Sequence, residues 1–294
     1  MKVIILGAGG IGSLVGAILS NENDVLLIGR QAHVDKINKN GLEISGYINE
    51  KVKIKAQTKI NNIDGGTLII LTTKAVDNEK TLNKIKDLIK KDTIILCLQN
   101  GLGNEDLIRS IVNCNVIRGI TTSGATFIEA GKVKCSNIGE IYIEDSAFSK
   151  KVYNILNKAG LKTEISKDIK ARIWKKLIVN CAINPLTAIL KVKNGNLLKI
   201  LDLVGIIIKE SVAVAEKEGF DFNEKETFDM VVNVIKASAE NKSSMLQDIL
   251  KGKKTEIDYL NGTVVKLGNK YGIECPVNEG LVMVIKGMEN VKED

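Results

Sequence analysis

The first twelve residues, MKVIILGAGGIG, leave the chain few ways to fold. KVIIL is a short apolar run rich in β-branched residues and predicts a strand, while SLVGAILSNEN, from residue 13, has helical spacing. Between them Gly7, Gly9 and Gly12 take the three places of G-x-G-x-x-G. The first glycine permits a tight turn, the second lets backbone approach a pyrophosphate, and the third lets helix and strand pack closely. The helix N-terminus then offers unpaired N–H groups to phosphate oxygens. Alone the pattern is weak, and a glycine turn without a ligand is the plainer alternative. A strand before it and a helix after it are the context the binding mechanism needs. Gly7, Ala8, Gly9, Gly10, Ile11 and Gly12 are therefore the expected dinucleotide-binding loop.

The pattern continues in the same style. DVLLI (24–28), TLIILTT (67–73) and TIILCL (93–98) are apolar nearly throughout, as strands of a parallel sheet covered on both faces must be. LEISGYINEKVKIKA (42–56) predicts a hairpin, and 116–143 predicts further, partly antiparallel strands. Near residue 167 the character changes to helical segments, with stops at Gly219, Gly272 and Pro276. The expected fold is α/β. A Rossmann-type dinucleotide-binding domain over 1–166 is followed by an all-helical domain over 167–294 that carries substrate and catalysis, with a cleft between two tightly packed domains.

Totals exclude several classes. Lys and Arg exceed Asp and Glu by 42 − 35 = 7, spread along the chain, and aromatics are only 4%, so no stacking platform for nucleic acid is expected. Five scattered cysteines without a CxxC pair argue against a disulfide framework or a metal site and for a reducing compartment. No uninterrupted apolar run reaches the ~18 residues of a membrane span. A cytoplasmic protein without membrane or nucleic-acid partners is expected. The apolar residues of 196–218 suit either a homodimer interface or internal core.

Cofactor identity is written after the second strand. An NAD site usually carries Asp or Glu there; this chain has Ile28-Gly29-Arg30-Gln31. A guanidinium grips a 2′-phosphate that a carboxylate would repel, so Arg30 argues for NADP, against the alternative of a solvated arginine. The only histidine, His33, is expected in a surface loop nearby, away from the nicotinamide. Lys74 in TTKAV and Asn100 in LQNGLGN follow strands, at the carboxyl edge where ligands bind. For Lys74 a solvated helix-start lysine stands equal to function, and for Asn100 a turn-forming Asn-Gly remains open.

In WKKLIVNCAINPLTAIL (174–190), Lys176, Asn180 and Asn184 recur every four residues. At about 100° per residue they leave one helix face. That face is either wet or the floor of a polar pocket. A lysine set among Ile173, Leu177 and Ile178 is partly desolvated, which eases proton release, and the carboxamides can bind a ligand without adding charge. Asn194 in KNGN suits a helix cap. Thr255-Glu256-Ile257-Asp258 resembles a capping box with Glu256 in the first turn. Ser243 or Ser244 caps a helix or faces solvent.

With GAGGIG, TTKAV, LQNGLG, WKKLIVNCAINPLTAIL, SSMLQD and TEIDYLNG in that order, the sequence resembles the ketopantoate reductase family over essentially its whole length. The resemblance implies a Rossmann domain plus a helical domain similar to that of 6-phosphogluconate dehydrogenase. It implies NADPH-dependent reduction of 2-dehydropantoate to (R)-pantoate, on the route to pantothenate and coenzyme A. By motif, Lys176 matches the catalytic lysine and proton donor, with Glu256 beside it in the catalytic set. Asn180, Asn184, Asn194 and Ser244 match substrate-binding positions. Lys74, Asn100, Ala125 and Glu256 match positions that contact cofactor or lie where cofactor and substrate meet, so Asn100 is expected to touch both. Two alternatives remain: an NADP-linked reductase of another branched 2-keto acid, and a regulator that senses NADPH without turnover.

Overall fold

The computed structural model describes residues 1–291. Contacts divide it into two units, one formed by Met1–Gln99 with Gly103–Ile169, the other by Asn100–Leu102 with the chain from Lys170 onward.

The first unit runs β1 (Lys2–Leu6), α1 (Gly10–Leu19), β2 (Asp24–Ile28), α2 (Gln31–Asn40), β3 (Leu42–Gly46), β4 (Glu50–Val52), β5 (Lys55–Gln57), β6 (Leu68–Leu71), α3 (Asn78–Asn83), β7 (Ile94–Cys97), α4 (Asn104–Ile111), β8 (Asn115–Thr121), β9 (Gly124–Glu129), β10 (Lys132–Asn137), β11 (Ile141–Glu144), α5 (Ser149–Lys158) and β12 (Thr163–Ser166). Eight strands form one sheet in the order β12-β11-β8-β7-β6-β1-β2-β5, parallel except where β11 meets β8. The continuous apolar strands are explained by burial on both faces. Val3 and Ile5 enter one core with α1, while Ile4 and Leu6 enter another with Leu82 and Ile108 of α3 and α4. The chain leaves β1 toward β2 and later resumes on its other side at β6. That reversal is the switch point outside which open α/β sheets bind ligands.

Of the hairpin expected over 42–56, only β3 and β4 pair with each other; Lys55–Gln57 instead extends the main sheet in parallel with β2. β3 and β4 join β10 and β9 in a four-stranded sheet, against which α1 also packs.

His33 is not in a surface loop. It lies on α2 and is 3% exposed. Its Nδ1 accepts the Gly131 N–H at 2.9 Å, which leaves Nε2 to carry the proton toward Ser13 Oγ at 3.1 Å. The ring also meets Phe127 edge-on at 4.9 Å. A neutral imidazole thus ties α2 to α1 and to the β9–β10 turn, and burial lowers its pKa from 6.5. The unfolded chain therefore takes up a proton at higher pH than the folded one. The stability held by neutral His33 is complete above about pH 6.5 and is lost as pH falls through that value toward the lower folded pKa. Urea midpoints measured across this window are expected to fall with acid in the parent and to lose that component in His33→Asn; identical slopes would exclude the effect.

The second unit contains α6 (Ile169–Leu190), α7 (Leu201–Lys217), α8 (Glu224–Ala237), α9 (Ser244–Ile249), α10 (Asn261–Tyr271) and α11 (Pro276–Asn290). Helix α6 is long and apolar enough, by length and composition, to cross a membrane, although no uninterrupted apolar run is; 67% of its apolar window is buried inside the protein. Trp174, Leu177, Ile178, Cys181 and Leu186 anchor it in a core shared with α7, α8, α10 and α11.

Candidate functional site

At the carboxyl end of β1 the three glycines answer to three constraints. Gly7 has φ +114°, and a Cβ there would lie 2.5 Å from the Thr73 nitrogen. A Cβ on Gly12 would lie 2.2 Å from the Gly7 carbonyl oxygen, whereas above Gly9 the space is open to 4 Å. Gly10, at a variable place of the motif, is also constrained: its Cβ would lie 2.4 Å from the Ala125 carbonyl oxygen. Ala125 on β9 thereby packs on the loop. Gly9 precedes α1 with no side-chain cap, and the first turn bears no acid. The loop turns, stays open on one side, and presents an uncapped helix N-terminus, which fits a pyrophosphate.

Arg30 immediately precedes α2 and is exposed; its carbonyl accepts the His33 and Val34 N–H groups at 3.0 Å, while its guanidinium makes no hydrogen bond or ion pair within the described residues. Lys74 is half-buried before a 3-10 turn, Ala75–Asp77. Three buried amides that the sequence did not single out hold this edge together. Asn78 Nδ2 donates to Gln99 Oε1 at 3.0 Å and to Asn104 Oδ1 at 3.1 Å, while Gln99 Nε2 donates to the Thr73 carbonyl at 2.7 Å. They cross-link the ends of β6 and β7, which sets the TTKAV loop. The available signal was position: Gln99 lies just beyond the carboxyl end of β7, and Asn78 and Asn104 open α3 and α4, the helices that follow β6 and β7.

In the helical unit, α6 carries Lys176 and Asn180, both half-buried, and Asn184, which is buried. The exposed neighbour Lys175 leans over the Phe222 ring instead, at 5.7 Å. Asn180's carboxamide makes no hydrogen bond within the described residues. Asn184 Nδ2 lies 3.5 Å from Ser244 Oγ. Ser243 is the N-cap of α9, its Oγ accepting from the Leu246 N–H at 3.1 Å and lying 2.7 Å from Thr187 Oγ1 of α6. That link seats α9 so that Ser244 faces Asn184.

Asn100 Nδ2 donates to Glu256 Oε2 at 3.0 Å. Gly101, at φ +85°, lets the turn close on the Tyr259 carbonyl, to which a Cβ would come within 2.7 Å. Asn-Gly therefore makes the turn and also presents the amide. The capping box expected at 255–258 is absent: Thr255 Oγ1 accepts from the Ile257 N–H, two residues on, and only a 3-10 turn, Ile257–Tyr259, follows. Glu256 precedes that turn, and its carboxylate is held by Asn100. Asn194 is not a cap either. It is the first residue of a 3-10 segment whose cap position is Lys193, and its Nδ2 donates to Ser238 Oγ at 2.9 Å. The candidates thus assemble as two groups. Gly7–Gly12, Arg30, Lys74 and Ala125 lie in the first unit. Lys176, Asn180, Asn184, Ser244, Asn100 and Glu256 lie in the second, with Asn194 bonded separately to Ser238. Among the described residues no cluster of three or more His, Cys, Asp or Glu is placed to hold a metal.

The family description "Ketopantoate reductase PanE/ApbA" matches residues 3–147, and its C-terminal counterpart matches residues 168–289. The chain is 41% identical to the 2-dehydropantoate 2-reductase of Pyrococcus horikoshii over 300 residues, covering 99% of this chain and 98% of that relative. Two solved structures are also similar. A PanE/ApbA family ketopantoate reductase from Ralstonia eutropha JMP134 matches at TM-score 0.91 and 30% identity, over 99% of each chain. A D-mandelate dehydrogenase in ternary complex with NADH and anilino(oxo)acetate matches at TM-score 0.93 and 34% identity, over 99% of this chain and 100% of that one.

Proposed function

The chain belongs to the ketopantoate reductase PanE/ApbA family, and from that premise we propose that it reduces 2-dehydropantoate to (R)-pantoate with NADPH, toward pantothenate and coenzyme A. The observation that carries this reading is the polar face of α6: one ammonium and two carboxamides every four residues, with Ser244 Oγ beside Asn184.

When bound, NADPH supplies the hydride to the ketone carbon. The loop Gly7–Gly12 and the N-terminus of α1 receive the pyrophosphate, and Arg30 receives the 2′-phosphate; Lys74, Ala125, Asn100 and Glu256 complete the cofactor contacts. Lys176 polarises the ketone oxygen, stabilises the charge that develops on it and donates its proton to the alkoxide. Asn180, Asn184, Asn194, Ser244 and Asn100 orient the substrate's carboxylate and hydroxyl. Glu256, fixed by Asn100, positions the lysine and ribose. The chain acts in the cytoplasm, a reading supported by its five free cysteines. It works as a homodimer, for which the exposed Leu198 and Ile206 are suitable groups.

The likeness to an NADH-bound mandelate dehydrogenase favours a second reading, reduction of a different 2-keto acid. Turnover of 2-dehydropantoate, 2-ketoisovalerate and phenylglyoxylate, each with NADPH and NADH, separates the two. The proposal expects 2-dehydropantoate with NADPH to dominate; cofactor oxidation absent with all three substrates would favour a sensor. Arg30→Ala is expected to raise KM for NADPH roughly 10- to 100-fold, the worth of charge-assisted hydrogen bonds, and to leave KM for NADH nearly unchanged. Equal change for both cofactors would remove Arg30 from 2′-phosphate recognition.

A further inference from the structure

Pro185 lies inside α6, between the reacting face and the helix end. An α-helix bonds each N–H to the carbonyl four residues earlier, and proline has no N–H. The carbonyl deprived of its helical donor is that of Cys181, a residue fully buried from water. A side chain supplies the missing proton: Asn261, at the start of α10, donates from Nδ2 to the Cys181 carbonyl at 3.1 Å. The same nitrogen donates to Asn278 Oδ1 at 2.9 Å. Asn278 Nδ2 in turn donates to Glu210 Oε2 at 2.7 Å, and that carboxylate accepts the first-turn N–H groups of Val277 and Asn278 at 3.0 and 2.9 Å. A buried polar relay thus runs from the start of α11, by way of α7 and α10, to the middle of α6. Within it Asn261 Oδ1 has no donor among the described residues, so the side chain is oriented by what its nitrogen gives.

Cys181 directly follows Asn180 and stands three residues before Asn184. We propose that Asn261 is a positioning residue: its amide replaces the N–H missing at Pro185 and fixes how Lys176 and Asn180, before the break, are aimed relative to Asn184, after it. This rests on the reading that α6 carries the reacting groups. Asn261 acts through the helix and touches neither substrate nor cofactor.

The test is a four-protein cycle of the parent, Asn261→Ala, Pro185→Ala and the double variant, with kcat, KM for 2-dehydropantoate and Tm measured for each. In Pro185→Ala, residue 185 regains an N–H that can reach the Cys181 carbonyl. Asn261→Ala is expected to lower kcat/KM roughly 10- to 100-fold beside proline, as misplacement of a reacting group does, and only about threefold or less beside alanine. Its Tm loss is likewise expected to be larger beside proline. Equal losses of kcat/KM in both backgrounds, or a coupling confined to Tm, would overturn the positioning role. If Asn261→Ala fails to fold, Asn261→Ser, whose shorter donor cannot serve Cys181 and Asn278 together, takes its place in the cycle. The Tm arm needs no substrate, so a parent inactive on 2-dehydropantoate would count against the functional reading and leave the repair of α6 separately readable.

Discussion

Lys176→Ala is expected to lower kcat for 2-dehydropantoate by roughly 10²–10⁴-fold, the weight of a positioned proton donor, equivalent to about 3–5 kcal/mol of barrier. Histidine, the commonest alternative donor, is no substitute here. The chain's one histidine, His33, is buried in the first unit with both ring nitrogens engaged. Lys176→Arg tests charge against proton transfer. A guanidinium keeps the positive charge but does not release its proton in proteins, and its planar fork differs from a compact ammonium. Arginine should therefore restore part of substrate binding, read in KM, without restoring kcat. Because Lys176 is only half-buried, far-UV circular dichroism and Tm are expected to stay near the parent's. Turnover close to the parent's in Lys176→Ala would remove this residue from the mechanism.

The largest stability effect is expected in the first unit. Arg118 on β8 is 1% exposed, and its Nε stands 3.3 Å from Glu105 Oε2 of α4. Its Nη1 donates to the Cys97 carbonyl at 3.2 Å. A buried guanidinium is tolerable because charge and acceptors surround it; removing the carboxylate takes away the anion that stands beside it, and breaking such a buried pair is costly. Glu105→Ala is therefore expected to lower the unfolding free energy by about 3–5 kcal/mol, seen as a large drop in the urea midpoint. Glu105→Leu with Arg118→Met removes both charges together and is expected to recover most of that loss. A small effect of Glu105→Ala would mean that other groups neutralise Arg118. The pair also borders the amide network that sets the TTKAV loop, since Cys97 ends β7 and its Sγ lies 3.4 Å from Gln99 Oε1. Burial raises the Cys97 thiol pKa more than Arg118 lowers it, which leaves the sulfur a neutral packing group.

Local pattern made much of this legible. Each apolar run from KVIIL to TIILCL became a strand buried on both faces, because that is the one sheet environment such a run suits. The glycine spacing marked a loop in which Gly7 and Gly12 leave no room for a Cβ while Gly9 stands open, and the interval of four placed Lys176, Asn180 and Asn184 on one helix. What sequence concealed depends on contacts between distant residues. QAHVDKINKN is mostly polar, which put His33 in a surface loop; it is instead buried on α2, against Ser13, Phe127 and the turn at Gly131, 98 residues later. Thr255 has the spacing of a cap, yet its hydroxyl bonds two residues on and Glu256 is taken by Asn100, 156 residues away. Asn194 turns to Ser238 for the same reason, a partner not adjacent in sequence. Pro185 was the one visible clue to Asn261. A proline within a helical pattern implies an orphaned carbonyl, although not which side chain will satisfy it.

The measurement that tests the central claim most directly is a crystal structure of the chain with NADP and pantoate bound. The account predicts Lys176 Nζ within hydrogen-bond distance, about 3 Å, of the hydroxyl oxygen that the ketone becomes, with Asn180 and Asn184 on the same ligand. A hydroxyl oxygen held by other groups, with Lys176 pointing into solvent, would contradict it.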